Sequence, residues 1–137
     1  DSALAFRVGH AIGAEARALG VHQVFAPVAD VNVNPANPVI NTRSFGEDPI
    51  LVTRMARGVA AGLRSAGALA TAKHFPGHGD TDVDSHLDLP RVPASRARMD
   101  SVELVPFRAL IRAAVALNRT AGTSARRPKR PARKSSR

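Results

Sequence analysis

Residues 24–52, VFAPVADVNVNPANPVINTRSFGEDPILV, contain the pattern that decides the fold. The apolar run Val24–Val28 has the length of a strand, and its lack of alternation predicts a strand buried on both faces. A polar stretch rich in Asn and Pro follows and cannot be regular structure. Asp48 then caps a helix with Pro49 in its first turn, and this helix is predicted to end near Ala66. A strand, a long loop and a helix therefore follow one another.

Similar elements are predicted on both sides of this unit. An amphipathic helix is predicted from about Ser2 to Leu19, because apolar side chains recur there at spacings of three and four. Its apolar positions include Leu4, Val8 and Ile12. A second strand is predicted at Ala68–Ala72, followed by another long loop and a helix around Val102–Val115. Strands that alternate with helices predict an α/β protein with parallel βαβ units.

Both long loops follow a predicted strand and precede a predicted helix. In (β/α)8 barrels the active site is built from such loops, at the carboxyl ends of the parallel strands. We therefore expect Arg43, in the first loop, to converge with Lys73 and His74, in the second.

The charge of the chain is concentrated at one end. The 137 residues have a formal net charge of +9, but residues 118–137, NRTAGTSARRPKRPARKSSR, hold eight of the 20 Lys and Arg and none of the 11 Asp and Glu. This low-complexity tail is predicted to be disordered. Clustered Lys and Arg could bind phosphate groups, but no aromatic residue is interleaved to stack on bases. Nucleic-acid or anion binding through the tail is thus an alternative with weak support.

The second loop, residues 73–90 (KHFPGHGDTDVDSHLDLP), has three His residues within 13 positions and three Asp residues among them. They are His74, His78, Asp80, Asp82, Asp84 and His86. A zinc site is disfavoured because Pro76 and Gly77 break the helix that would align the first two His residues. A calcium loop is disfavoured because Ser85 and Arg91 stand where an EF-hand has Gly and Glu. The chain has no Cys, which excludes thiolate ligands and nucleophiles. No metal or other cofactor is predicted.

Acid–base catalysis is the other interpretation of this loop. Asp84 and His86 are two positions apart, close enough in an extended loop for the carboxylate to accept a hydrogen bond from the imidazole. This contact would orient the ring and favour its protonated form, leaving the other nitrogen to exchange a proton with substrate. Taken alone, a D-x-H sequence is a weak signal.

The same loop resembles the signature of the glycoside hydrolase family 3 β-N-acetylhexosaminidases, in which KHFPGHG is followed at short spacing by D-S-H and a Pro. Residues 25–49, FAPVADVNVNPANPVINTRSFGEDP, resemble the strand and substrate loop of that family. The resemblance implies part of an N-terminal catalytic (β/α)8 TIM-type barrel. It also implies a retaining mechanism, which cleaves terminal N-acetyl-β-hexosaminides.

The resemblance also implies roles for individual residues. His86, paired with Asp84, corresponds to the acid–base catalyst, and the sugar-binding residues correspond to Arg43, Lys73 and His74. Asp30 corresponds to a structural residue at a strand end.

The residues themselves leave simpler interpretations open. Arg43 could pair with Glu47 or Asp48 and shape its loop, and His78 could hold the second loop by hydrogen bonds. Two acidic side chains of that loop, Asp80 and Asp82, are predicted to be solvated.

The resemblance is partial. Residues 1–117 correspond to a fragment of the barrel domain, because a complete barrel needs about 250 residues. The strands that carry the family's substrate-binding Asp and nucleophilic Asp have no counterpart here. We therefore predict that the parent enzyme is a hydrolase, while this chain is truncated and inactive. The segment 118–137 is interpreted as a natural basic tail or the product of a shifted reading frame. A sugar-binding remnant without activity is an alternative, and transfer to phosphate instead of water is left open.

The partner predicted for the chain is a saccharide that contains N-acetylglucosamine. No apolar run approaches the roughly 20 residues of a membrane span. The amino terminus is expected to be cut, because the first residue is Asp1. The location is therefore open, with the cytoplasm preferred, and the oligomeric state is undetermined.

Overall fold

The computed structural model describes residues 1–92 and 94–124. In chain order its elements are α1 (Ser2–Ala18), β1 (Gln23–Val24), a 3-10 turn (Asn41–Arg43), α2 (Pro49–Ser65), β2 (Leu69–Ala70), α3 (Arg96–Ser101) and α4 (Leu104–Ser124). Helices and strands alternate as predicted as far as β2, but α3 lies in the stretch that was predicted to be loop, and α4 follows it directly. As predicted, Asp48 caps α2, accepting a hydrogen bond from the amide of Ile50.

The two strands are parallel, which confirms the predicted α/β class. Their partners are Gln23 with Leu69 and Val24 with Ala70, and a parallel bridge joins Val28 to Lys73. The regular pairing covers two residues on each strand, fewer than the five predicted. Pro27 has no N–H to donate to a ladder, although its carbonyl accepts a hydrogen bond from the amide of Lys73 at 3.0 Å.

The prediction that the first strand is buried on both faces is wrong. Val24 and Ala26 pack against the core between α1 and α2. Phe25, which lies between them, is 66% exposed, and Leu69 on β2 is 63% exposed. In the part of the chain that the structure describes, the core lies on one side of the strand pair.

Helix α1 is buried through its small residues and not through its large apolar ones. Its buried positions are Ala5, Gly9 and Gly13, whereas Leu4, Val8 and Ile12 are between 41% and 49% exposed. The reason is that α1 approaches α2 very closely. A Cβ atom on Gly9 would lie 2.4 Å from the carbonyl oxygen of Val59 in α2.

Gly62→Ala in α2 should therefore destabilise the fold. The added Cβ would lie 2.1 Å from the carbonyl oxygen of Phe6 in α1, and overpacking of this kind costs about 1–3 kcal/mol. Urea unfolding would measure the loss. Arg64→Ala, two positions further along the same helix and exposed, is the control and should change stability by less than about 0.5 kcal/mol. Equal effects of the two substitutions would contradict the close helix contact.

Helix α4 extends beyond its predicted end at Val115. It includes Pro106 in its first turn, as predicted, and continues to Ser124. Residues 118–124 are therefore helical, although the sequence placed them in a disordered tail. Residues 125–137 lie outside those the structure describes, so the prediction for them stays a prediction. Among the described helices, none is both long and apolar enough to cross a membrane.

Candidate functional site

The loops after β1 and β2 meet at Asp30, whose side chain is fully buried. Its carboxylate accepts hydrogen bonds from the amide of His78 at 2.8 Å and from the amide of His74 at 3.1 Å. It also lies 2.7 Å from Nδ1 of His74. A carboxylate is acceptor-only when ionised, so Nδ1 carries the proton in this contact and Nε2 is left as an acceptor. Asp30 therefore has the structural role that was predicted and also orients His74.

Arg43 and His74 converge, as the strand–loop–helix order predicted. Arg43 Nη2 lies 3.4 Å from His74 Nε2, and its Nη1 donates to the carbonyl oxygen of Val39 at 3.1 Å. In residues 1–92 and 94–124 no ion pair joins Arg43 to Glu47 or Asp48, so that alternative has no support in the structure. The guanidinium and the imidazole lie at the same end of the parallel strands.

Lys73 lies at the end of the strand pair beside these groups. Its carbonyl accepts a hydrogen bond from the amide of Ala29 at 2.7 Å, and its residue as a whole is half-buried. Within the described part of the chain, its ammonium group takes part in no hydrogen bond or ion pair. The ammonium is therefore available to a ligand.

The predicted contact between Asp84 and His86 is present. Asp84 Oδ1 accepts from the His86 amide at 2.9 Å and lies 2.7 Å from His86 Nδ1. The backbone hydrogen bond and then the ring contact hold the pKa of Asp84 below its ordinary value. The His86 side chain is 79% exposed, and its Nε2 is therefore open to a reactant. Across the described residues, no hydrogen bond or ion pair joins this pair to Arg43 or His74.

The lowered pKa of Asp84 predicts how this contact responds to acid. A carboxyl group whose pKa is lowered by folding contributes stability above its ordinary pKa and loses it as pH falls through the lowered value. The contact between Asp84 and His86 should therefore persist at the ordinary Asp pKa of about 3.9 and break only at lower pH. A pH titration of the Asp84 carboxyl ¹³C shift would show this. His86→Ala should return the midpoint towards the ordinary value, and an ordinary midpoint in the unsubstituted chain would contradict the prediction.

The remaining residues of the second loop are mostly structural. His78 is buried beneath His74 and contacts the Thr81 hydroxyl through Nδ1, so it holds the loop as predicted. Asp82 is exposed. Asp80, however, was predicted to be solvated and instead lies 3.7 Å from Arg98 Nη2. The described residues contain no cluster of three His, Cys, Asp or Glu side chains that could hold a metal ion.

Sequence reasoning missed Asn37. This side chain is buried in the loop after β1 and donates a hydrogen bond to the loop after β2. The signal available was its position in the N-P-A-N-P stretch, where Asn side chains commonly bond to the backbone two residues ahead.

Comparison with known proteins identifies the family. Residues 1–126 match the sequence model of the glycosyl hydrolase family 3 N-terminal domain. The chain belongs to glycosyl hydrolase family 3.

Relatives of the chain include named sequences and solved structures. The chain is 50% identical over 109 residues to a protein named β-hexosaminidase A from Pseudoalteromonas piscicida, covering 80% of this chain and 18% of that protein. It is 45% identical over 108 residues to a β-hexosaminidase from Alkalilimnicola ehrlichii, covering 79% of this chain and 31% of that one. It therefore spans less than a third of either relative.

A family 3 β-N-acetylglucosaminidase from Paenibacillus has the same fold over the matched region. The TM-score is 0.81 at 51% identity, covering 82% of this chain and 22% of that one. The structure titled native NagZ from Neisseria gonorrhoeae matches with a TM-score of 0.76 at 37% identity, covering 82% of this chain and 32% of that one.

Proposed function

We propose that this chain supplies the sugar-binding and proton-transfer part of a retaining family 3 β-N-acetylhexosaminidase, which cleaves terminal N-acetyl-β-hexosaminides. We further propose that β1 and β2 are neighbouring strands of a (β/α)8 barrel. The observation that carries the proposal is the contact of 2.7 Å between Asp84 Oδ1 and His86 Nδ1. Asp84 and His86 are called the proton-transfer pair below.

In this proposal His86 acts as the general acid and then as the general base. Because Asp84 holds the Nδ1 proton, Nε2 is the atom that donates a proton to the departing oxygen and later removes one from water. Most glycosidases use a carboxyl group for this step. Asp84, whose pKa is lowered, is ionised at neutral pH and accepts the hydrogen bond from Nδ1 that orients the ring.

The sugar would be bound by Lys73, His74 and Arg43. The Lys73 ammonium is a donor without a partner in the described part of the chain, and Arg43 Nη2 offers further N–H groups. His74 Nε2 is the acceptor among them, because Asp30 holds the proton on the other nitrogen. Arg43 and His74 meet at one place, and Lys73 is next to His74 in the chain. Donors and an acceptor suit the hydroxyl groups of a sugar, each of which donates and accepts.

A retaining mechanism also needs a nucleophilic carboxylate, about 5–5.5 Å from the acid–base group. All 11 Asp and Glu residues lie within residues 1–103 and are described. Asp30 is enclosed by His74 and His78, and Glu103 is buried beside Arg98. The other carboxylates outside the proton-transfer pair are helix caps, ion-pair partners, or exposed groups, of which Asp88 accepts a hydrogen bond from the Leu89 amide. We propose that the nucleophile comes from sequence this chain does not contain.

The 137-residue chain by itself should therefore show no turnover of an aryl N-acetyl-β-glucosaminide. A graft that replaces the matching 22% of the Paenibacillus β-N-acetylglucosaminidase with this chain should be active, because the rest of that enzyme supplies the missing groups. Release of the aryl alcohol would measure the turnover of the chain alone and that of the graft. Turnover by the chain alone, above that of its own His86→Ala variant, would show that it contains a nucleophile after all.

Two further measurements separate the alternatives. An inactive graft, combined with binding of N-acetylglucosamine by the chain in calorimetry, would indicate a sugar-binding remnant without catalysis. In an active graft, formation of a sugar 1-phosphate in the presence of inorganic phosphate would show transfer to phosphate in place of hydrolysis.

A further inference from the structure

Asn37 uses every hydrogen-bonding group of its side chain while being only 1% exposed. Its Nδ2 donates to the carbonyl oxygens of His78 at 2.7 Å and Thr81 at 2.9 Å. Its Oδ1 accepts from the amides of Val39 at 2.9 Å and Ile40 at 2.7 Å. A primary amide has two N–H donors and an oxygen that accepts twice. An aspartate of the same shape would place acceptors against two carbonyl oxygens.

The two carbonyl groups that Asn37 binds belong to residues 78–81, which form the base of the loop that carries the proton-transfer pair. Other contacts hold this base against the first loop. The amide of Asn34 donates to the carbonyl oxygen of Gly79 at 3.2 Å. A Cβ on Gly79 would lie 1.9 Å from the carbonyl oxygen of Val31, so the two backbones are in direct contact. The base is therefore fixed by the first loop.

Residues 82–92, which follow the base, form hydrogen bonds with one another. Within the described residues, every hydrogen bond and ion pair of residues 82–92 has its partner in the same segment. Examples are the amides of Leu87 and Asp88, which donate to the carbonyl oxygen of Asp84 at 2.9 Å and 3.1 Å. The proton-transfer pair is therefore held in place through the two ends of this segment, and residues 78–81 form the end nearer to the pair.

Asn37 also connects this base to the sugar-binding groups. The Val39 amide donates to Asn37, and the Val39 carbonyl oxygen accepts from Arg43 Nη1 at 3.1 Å. The buried Asn37 side chain thus links Arg43 of the first loop, through Val39, to residues 78–81 at the base of the second loop.

We propose that Asn37 is a positioning residue that places the proton-transfer pair relative to the sugar-binding groups. The kinetic consequence rests on the proposed function, but the structural consequence does not. Asn37→Asp keeps the size of the side chain and replaces its two donors with an acceptor. Asn118→Asp, the same change at an exposed position of α4, is the matched control.

The first test measures where the loop lies, in the full chain. Because the chain has no Cys, spin labels can be placed at Ser85→Cys in the loop and Arg57→Cys on α2, and their distance distribution measured by pulsed electron paramagnetic resonance. Asn37→Asp should shift or broaden this distribution. A reference pair at Arg17→Cys and Arg112→Cys, on α1 and α4, should keep its distribution.

The second test measures the consequence in the graft. If His86 is misplaced, Asn37→Asp should lower kcat/KM about 10²-fold for substrates with poor leaving groups, and less than about tenfold for activated aryl substrates. A residue that only stabilises the fold would lower both rates equally, through the fraction of folded enzyme. Combining Asn37→Asp with His86→Ala should add little to the loss from His86→Ala alone, because both changes remove the same proton transfer.

The spin-label and kinetic results with Asn37→Asp can each contradict the positioning role of Asn37. A loop distribution in Asn37→Asp as narrow as in Asn118→Asp would overturn the proposal, and so would equal kinetic losses with both substrate types. If Asn37→Asp also changes the reference pair, the whole fold has been disturbed, and the smaller change Asn37→Ser is then judged by the same criteria. An inactive graft with a shifted loop would refute the proposed function and leave the positioning role supported.

Discussion

In the active graft, His86→Ala should slow the hydrolysis of substrates with poor leaving groups by about 10²–10⁴-fold, the usual contribution of a general acid or base. The departing oxygen of an alkyl glycoside must be protonated as its bond breaks, and His86 Nε2 is proposed to supply that proton. An aryl glycoside with an electron-withdrawing ring departs readily as an anion. The first step with such an aryl glycoside should therefore be slowed much less, and kcat/KM, which reports the steps up to formation of the glycosyl-enzyme, would show the difference between the two substrate types.

His22→Ala provides the control for this experiment. His22 is exposed and contributes its backbone carbonyl to the amide of Leu69, so removal of its ring should leave both rates close to those of the unsubstituted graft. Asp84→Asn should resemble His86→Ala in its dependence on the leaving group, because it removes the carboxylate that orients the ring. An equal loss with both substrate types would exclude His86 from the acid role.

Asp30→Ala should destabilise the chain by about 3–5 kcal/mol, the cost of removing one partner from a buried charged contact. The substitution leaves the His78 amide and the His74 amide and ring without their acceptor, at a site closed to water. Urea unfolding of the full chain would measure the loss. The size of this effect distinguishes a buried carboxylate that organises two loops from one that merely occupies a strand end.

Asp82→Ala is the matched control, since this Asp lies exposed in the second loop. It should change stability by less than about 0.5 kcal/mol. A loss from Asp30→Ala no larger than that from Asp82→Ala would contradict the role given to Asp30. In a graft stable enough to fold, Asp30→Asn should weaken sugar binding, because His74 is no longer held with Nε2 towards Arg43.

The sequence by itself determined the alternation of helices and strands up to β2 and the chemistry of the second loop. The Asp48–Pro49 helix start and the strand-length apolar run from Val24 depend on local preferences, so they could be predicted from neighbouring residues alone. The contact between Asp84 and His86 is also local, because an Asx side chain readily reaches the backbone and side chain two residues ahead. The resemblance carried by residues 73–90 identified the family for the same reason: its pattern is continuous along the chain.

The tertiary structure alone decided which faces are buried and which buried hydrogen bonds join the two loops. The pattern of Leu4, Val8 and Ile12 indicates an apolar face of α1, but the face that packs against α2 is the one where small residues allow two backbones to touch. The contacts of Asp30 with His74 and of Asn37 with Thr81 each join residues 44 positions apart. Such contacts depend on where the parallel strands place the ends of their loops, and no local preference encodes that distance. The buried hydrogen bonds that organise the site were therefore visible only once the loops were folded against each other.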